Sequence, residues 1–238
     1  MYKRQILNIL IILGVTALIT NVAIQKTTFK YEIPYMLLIT AVLLVMGMTG
    51  NEITFIEGVI LWILFIAYLL YLYFLAKKGN DSGDEQSVKL YPVWKCLLFI
   101  VLGGVCVVIG SQLVVNGATT IARACGMSER FIGLTIVAFG TSLPELVTSV
   151  SAARKGNAGI AIGNIVGSNI FNILFVIGTV ALICPVPFES RFVIDTVVAI
   201  LCGVLLWGGT IRHKELRKPC GVVMLLCYAA YFVYLAAM

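Results

Sequence analysis

Two polar stretches of this chain lie inside long apolar runs, and their residue types are those that bind cations. The first is GTSLPE at residues 140–145, and the second is GNIVGSNIFN at residues 163–172. Glu145 places a carboxylate within an apolar run, where it costs on the order of 2.5–3.5 kcal/mol if the run spans a membrane. Residues four apart share one face of a helix, so Thr141 is expected to lie beside Glu145. The sequence therefore predicts a functional acidic site at this position.

A polar stripe of the same spacing runs along the second stretch, where Asn164, Ser168 and Asn172 are four residues apart. If this stripe faces Glu145, the two helices together offer carboxylate, hydroxyl and amide oxygens, which hard cations such as Ca²⁺ prefer. Polar side chains in spanning helices also hold helices together by hydrogen bonds. Both interpretations stand for Asn164, whereas Asn169 is expected mainly to join helices.

Pro144 predicts a break in the helix that carries Glu145. Proline has no N–H for the carbonyl one turn back, so the helix is expected to open near Gly140. Broken backbone at membrane depth persists only where it is buried in protein or lines a water-filled cavity. On the second stretch, Gly163 and Gly167 are expected to let the neighbouring helices approach closely. A broken helix with a buried acid is typical of an ion site.

The composition indicates a membrane protein. Hydrophobic residues make up 61% of the 238 residues and charged residues only 12%, whereas about a quarter of a soluble domain is charged. No basic patch with interleaved aromatic residues is present in the sequence, so binding to nucleic acid is not expected. The predicted fold is all-α and polytopic, with about eight helices in the lipid bilayer. These apolar segments are residues 6–24, 33–49, 53–76, 95–121, 128–153, 158–184, 192–210 and 219–238.

The charged residues between the apolar runs predict the orientation of the chain. Counted on alternate sides, 12 Lys and Arg residues fall on one side and 5 on the other. The positive-inside rule then puts residues 77–94, a polar linker, in the cytoplasm and the C-terminus outside. We expect an integral protein of the plasma membrane, which is the inner membrane in many bacteria.

An internal repeat runs through the chain at an offset of 164 residues. Residues 6–19 align without gaps on residues 170–183, and eight positions are identical, including an Asn and a Gly in register. Five spans separate the paired segments, so the copies are expected to run in opposite directions, as in many transporters. Residues 3–5 (KRQ) stand where residues 167–169 (GSN) precede the second copy. The first copy is expected to be incomplete, since it has no counterpart of Glu145.

With the motifs at residues 140–145 and 163–172, the chain resembles the sodium/calcium exchanger superfamily of cation antiporters, in particular its bacterial calcium/sodium antiporters. The resemblance implies a ten-helix fold of two inverted five-helix halves, with the ions held midway by both α-repeats. The implied division is residues 1–76 for the end of the first half, with three helices, residues 77–94 for the linker, and residues 95–238 for a complete second half whose α-repeat spans about residues 128–184.

The resemblance also implies the transported ions and their ligands. Glu145 would be the central carboxylate that Ca²⁺ and Na⁺ share, and no other cofactor is expected. The implied ligands are Glu145, oxygens of Thr141, Ser142 and Ser168, the carbonyl of Ala138, Asn172 where some members carry Asp, and Asn8 at the matching position of the first repeat.

The expected function is exchange of Ca²⁺ for Na⁺ or another monovalent cation, in a chain truncated on its N-terminal side. The family's first α-repeat supplies a second glutamate that is absent here, and one carboxylate under-neutralises Ca²⁺ in apolar surroundings. The alternative is a non-transporting fragment or a half-transporter that needs a partner chain, or a second copy, for the first α-repeat. An enzyme with Ser142 as nucleophile is not expected, because the single His213 lies in a loop and no Lys lies mid-span.

Overall fold

A computed structural model gives the structure, which describes residues 2–80 and 92–237. The helices are α1 (Tyr2–Leu7), α2 (Gly14–Ile19), α3 (Ile33–Gly50), α4 (Phe55–Asn80), α5 (Val93–Ala124), α6 (Glu129–Ile132), α7 (Ala138–Gly140), α8 (Leu143–Arg154), α9 (Ala158–Phe171), α10 (Gly178–Ile183), α11 (Ser190–Ile211) and α12 (Lys218–Ala237). Wider π-helical turns extend or join them at Asn8–Leu13, Thr28–Glu32, Gly133–Val137 and Asn172–Ile177. Short strands are β1 (Val22–Ala23), β2 (Glu52–Ile53), β3 (Val186–Pro187) and β4 (Glu215–Leu216).

Every predicted apolar segment contains a helix, which confirms the all-α polytopic fold. Among the described residues, 6 helices are long and apolar enough to cross a membrane, namely Thr28–Gly50, Phe55–Lys77, Val93–Ala124, Gly159–Ile183, Phe192–Ile211 and Lys218–Ala236. The other two predicted segments are helical but do not reach that length without interruption. One runs from Tyr2 and ends at Ile19, short of the predicted residue 24, because Thr20 adopts extended backbone ahead of β1. The other is broken at residues 141–142.

The internal repeat is visible in the elements themselves. Adding 164 to the π-helical turn Asn8–Leu13 gives the π-helical turn Asn172–Ile177, and the same shift carries α2 onto α10 and β1 onto β3. Each turn starts at an asparagine and consists otherwise of branched or aromatic apolar residues. Similar sequence has therefore produced the same unusual local structure twice.

The two strand pairs show that the repeat is inverted. β1 pairs antiparallel with β4, and β2 pairs antiparallel with β3. The 23-residue helix Thr28–Gly50 separates β1 from β2 by roughly 35 Å at 1.5 Å per residue. The two ribbons thus lie at opposite ends of the helices. Because β1 and β3 are equivalent in the repeat, equivalent strands lie at opposite ends, as inverted transporter repeats require.

The buried core joins the two copies, and α5 lies at its edge. Ile9, Leu13, Ile173 and Leu174, on the two π-helical turns, are at most 1% exposed. In α5 the only buried residue among those described is Ala122. A long apolar helix that is mostly exposed in a chain of this composition is suited to contact with lipid. α5 meets the described chain at α6, α7, α8 and the π-helical turn Gly133–Val137.

The division into residues 1–76, 77–94 and 95–238 stays a prediction. α4 continues past residue 76 to Asn80, and α5 begins at Val93. Most of the predicted linker, residues 81–91, lies outside the described residues.

Candidate cation-binding site

The helix that carries Glu145 is broken one turn before it. α7 ends at Gly140, residues 141–142 form a turn, and α8 resumes at Leu143 with Pro144 in its first turn. This position for Pro144 is favourable, because the first turn of a helix needs no N–H at that residue. Inside the turn, the Ser142 N–H donates to the Phe139 carbonyl at 3.0 Å. The predicted opening near Gly140 is confirmed.

A tight hairpin sets α8 against α9. Gly156, with φ of +80°, follows α8, and its N–H donates to the Ala153 carbonyl at 3.1 Å while the Asn157 N–H donates to the Ala152 carbonyl at 2.9 Å. This is a Schellman motif, whose left-handed residue is usually glycine because a Cβ is strained there. The short turn leaves the polar stripes of the two helices facing each other.

Asn164 joins the two stripes, as the four-residue spacing predicted. Its Nδ2 donates to Thr148 Oγ1 at 2.9 Å and to Ser149 Oγ at 3.2 Å, and lies 3.5 Å from the Glu145 carbonyl. Because both amide hydrogens have partners on α8, this side chain holds the hairpin together. The interpretation of Asn164 as helix-joining is therefore the one the geometry favours.

Glu145 is the centre of the polar cluster. Its side chain is 11% exposed, and Ser168 Oγ donates to its Oε1 at 3.1 Å. Asn172 Nδ2 in turn lies 3.5 Å from Ser168 Oγ. Glu145 Oε2 is buried and has no hydrogen-bond partner among the described residues. A buried carboxylate oxygen without a donor is costly and calls for a counter-charge or a ligand.

Arg4 supplies a counter-charge that the sequence interpretation missed. Its Nη2 donates to Glu145 Oε1 in a salt bridge, and the two side chains are 34% and 11% exposed. Arg4 is one of the 5 basic residues on the less basic side of the chain, and without it 4 remain there. The repeat contained the signal, because an offset of 164 puts Arg4 on Ser168.

Among the described residues, the remaining predicted ligands make no hydrogen bond to the Glu145 carboxylate. Thr141 is exposed, and its Oγ1 donates to the Ala138 carbonyl at 2.9 Å, one turn before the break. Ser142 is 1% exposed, with no partner for its Oγ in the described chain. Asn8 is fully buried, and its Nδ2 donates to Asn169 Oδ1 at 3.2 Å. The structure thus brings together Glu145, Ser168 and Asn172.

The comparisons with known proteins identify the family. The profile of the sodium/calcium exchanger protein family matches residues 5–74 and 95–237. The chain belongs to the sodium/calcium exchanger family. It is 32% identical over 238 residues to the inner membrane protein YrbG of Escherichia coli (strain K12), covering 92% of this chain and 70% of YrbG. It is 38% identical over 142 residues to the sodium/calcium exchanger MaX1 of Methanosarcina acetivorans, covering 59% of this chain and 41% of MaX1.

A solved structure of the sodium-calcium exchanger NCX_Mj has the same fold. Its TM-score to this chain is 0.79 at 31% identity, and the match covers 98% of this chain and 74% of NCX_Mj. The resemblance inferred from the motifs at residues 140–145 and 163–172 is therefore confirmed, together with the exchanger fold.

In this exchanger-family chain, the prediction that Gly163 and Gly167 allow the close approach of neighbouring helices is wrong. A Cβ added at Gly163 or Gly167 would meet no described atom within 4 Å. Both lie about 100° around the helix from the stripe that faces α8, so they do not control that approach. At Gly140, by contrast, an added Cβ would lie 2.0 Å from Val115 Cγ2. The close helix approach occurs at the break, between α7 and α5.

The cluster contains one acid. No group of three or more His, Cys, Asp or Glu residues that could hold a metal ion occurs in residues 2–80 and 92–237. The oxygens around Glu145 are otherwise hydroxyl, amide and carbonyl oxygens. Such a set can contribute ligands to a hard cation, but the charge must come from Glu145.

Proposed function

We propose that this chain takes part in secondary active antiport of Ca²⁺ against Na⁺ or another monovalent cation, with Glu145 as the central carboxylate. The observation that carries the proposal is a carboxylate with 11% exposure that lies on a broken helix and accepts from Ser168 at 3.1 Å. An acid at such a depth is functional by default. The name of its relative MaX1, a sodium/calcium exchanger, supports the choice of ions.

Competition for one set of oxygens would couple the two ions. Either ion neutralises Glu145, and occupancy by either would allow the helices to rearrange and expose the site to the opposite side. The unpartnered Glu145 Oε2 and Ser142 Oγ are available to a cation, and Pro144 leaves the Gly140 carbonyl without its usual helical N–H partner. The proposed ligands are Glu145, Thr141, Ser142, Ala138, Ser168, Asn172 and Asn8.

The test is uptake of radioactive Ca²⁺ driven by a Na⁺ gradient in vesicles that contain the chain. Replacing Glu145→Gln should lower the uptake at subsaturating Ca²⁺ by at least about tenfold, because a charged partner contributes about 1.5–3 kcal/mol. Glu57→Gln is the matched control. Glu57 caps the start of α4 through the Thr54 N–H at 2.7 Å, and the variant changes the same charge away from the site. Equal uptake by the Glu145→Gln variant and the parent would remove Glu145 from the mechanism.

A second proposal is that transport needs another chain, either a partner that supplies the first α-repeat or a second copy. Ca²⁺ usually takes about six to eight oxygen ligands, some of them charged. The cluster of this chain contains one acid, Glu145, so further charged ligands would have to come from another chain. If two copies act together, vesicles with mixtures of the parent and the Glu145→Gln chain should lose uptake more steeply than the parent fraction falls. A linear loss would contradict action as a pair of copies.

The location and orientation complete the proposal. We place the chain in the plasma membrane, with residues 77–94 in the cytoplasm and the C-terminus outside. The β1–β4 ribbon, where the Ile24 N–H donates to the Lys214 carbonyl at 2.9 Å, lies at the end that carries most basic residues, as the positive-inside rule requires. A C-terminal fusion to alkaline phosphatase should be active, and a C-terminal green fluorescent protein should be dark. The opposite result would reverse the orientation.

A further inference from the structure

Arg4 brings a positive charge to the Glu145 carboxylate. Its Nη2 and the Ser168 hydroxyl both donate to the same oxygen, Glu145 Oε1. A guanidinium group stays positively charged in proteins and has no hydrogen-bond acceptor atom. The charge of Glu145 is therefore already balanced from within the chain, before any ion arrives.

The internal repeat shows what Arg4 replaces. Position 4 is equivalent to position 168, and the two side chains reach Glu145 Oε1 from the two helices that the repeat relates. A serine at position 4 would bring a hydroxyl oxygen, which can act as a ligand to a cation. An arginine brings positive charge and donors only, so it repels a cation from the same place.

Arg4 and Glu145 are joined through a single nitrogen of the guanidinium, so the salt bridge is monodentate and can be broken. Only Nη2 of Arg4 reaches the carboxylate, while Arg4 Nε and Glu145 Oε2 are buried without hydrogen-bond partners among the described residues. A bidentate pair would have used both and would be stronger. The Arg4 side chain is also 34% exposed, which gives it a path away from Glu145.

We propose that Arg4 is a tethered cation that occupies the Glu145 site and keeps free Ca²⁺ and Na⁺ out until it withdraws. The inference rests on the proposed function, in which Glu145 binds those ions. The apparent affinity for an ion is then reduced by the fraction of time that Arg4 is absent. Arg4 thus sets how much ion the site needs and which ions can compete for it.

The test measures whether the Glu145 carboxyl is open to attack. Dicyclohexylcarbodiimide attacks carboxyl groups in apolar surroundings, and a cation paired with the carboxylate hinders that attack. The purified full chain is treated with the reagent in detergent micelles without Ca²⁺ or Na⁺, and modification at Glu145 is read by mass spectrometry. The parent and Arg4→Lys should be resistant, because both keep a cation at position 4. Arg4→Ser and Arg4→Gln should be modified at least tenfold faster.

Adding Ca²⁺ or Na⁺ separates this inference from the proposed function. Either ion should protect Glu145 in the Arg4→Ser and Arg4→Gln variants, at concentrations at least tenfold lower than those at which the parent binds radioactive Ca²⁺. Equal modification of the parent and both neutral variants overturns the role of Arg4. Faster modification that neither ion slows supports the pairing of Arg4 with Glu145 and overturns the cation site. Arg4→Lys also shows whether a change comes from charge or from misfolding, because it keeps the positive charge on a side chain of similar length.

Discussion

Gly140→Ala tests whether the helix break is held by close packing on α5. The added Cβ would lie 2.0 Å from Val115 Cγ2 and 3.3 Å from Val115 Cβ, whereas carbon atoms in contact are about 3.5–4.0 Å apart. Valine is stiff at χ1, so the methyl group cannot simply rotate away. The two helices must separate, or the turn at residues 141–142 must shift.

The expected cost follows from the size of the overlap. An extra methyl group in a tightly packed contact costs about 1–3 kcal/mol, while alanine gains up to about 1 kcal/mol over glycine in a helix. Gly163→Ala is the matched control, because its Cβ would meet no described atom within 4 Å. The control should be neutral or slightly stabilised. Gly140→Ala should be less stable than the control by about 1–3 kcal/mol.

Reversible unfolding in mixed micelles, followed by far-ultraviolet circular dichroism, measures the difference in unfolding free energy. The double variant Gly140→Ala/Val115→Ala removes the methyl group that the new Cβ would strike. It should recover most of the loss when compared with Val115→Ala alone. Equal stability of Gly140→Ala and Gly163→Ala would refute the packing argument, as would a double variant that gains nothing.

Two hydrogen bonds away from the Glu145 carboxylate give further tests. Asn164→Ala removes the donor to Thr148 Oγ1 at 2.9 Å, which should cost about 1 kcal/mol of stability and speed amide hydrogen exchange across α8. Asn116→Ala, on exposed α5, is the control and should leave the exchange of α8 unchanged. Equal exchange in both variants would contradict the role of Asn164. Tyr231→Phe removes the O–H that donates to buried Asp195 at 2.6 Å and should cost about 1–3 kcal/mol of unfolding free energy. Adding Asp195→Leu should restore stability, because no unpaired carboxylate then remains, and a double variant no better than the single one would exclude this reason.

Local sequence was sufficient for the break and for the facing stripes. A missing N–H at Pro144 opens the helix whatever surrounds it, and the four-residue spacing of Asn164, Ser168 and Asn172 fixes one face of α9. The repeat could also be predicted from local sequence, since similar sequences form the same π-helical turn at Asn8–Leu13 and Asn172–Ile177. These features depend on neighbours within a few residues along the chain.

The salt-bridge partner of Glu145 could not be predicted from local sequence. Arg4 is 141 residues away in sequence, and its position after a short polar start made it look like a loop charge. The repeat aligns Arg4 with Ser168, but only the packing of the helical segment from Tyr2 to Ile19 against α8 and α9 shows that both reach one carboxylate oxygen. The glycines of α9 were misjudged for a related reason, because composition does not say which side of a helix meets a neighbour.

By itself, then, the sequence determined the apolar helices, the inverted repeat, the family and the acid at the centre of the polar cluster. Hydropathy, backbone chemistry and short-range spacing set those features, and each acts over one or two helical turns. The tertiary structure decided what stands beside the acid. That choice depends on contacts between helices far apart in sequence, and in this chain it puts the guanidinium of Arg4 on Glu145.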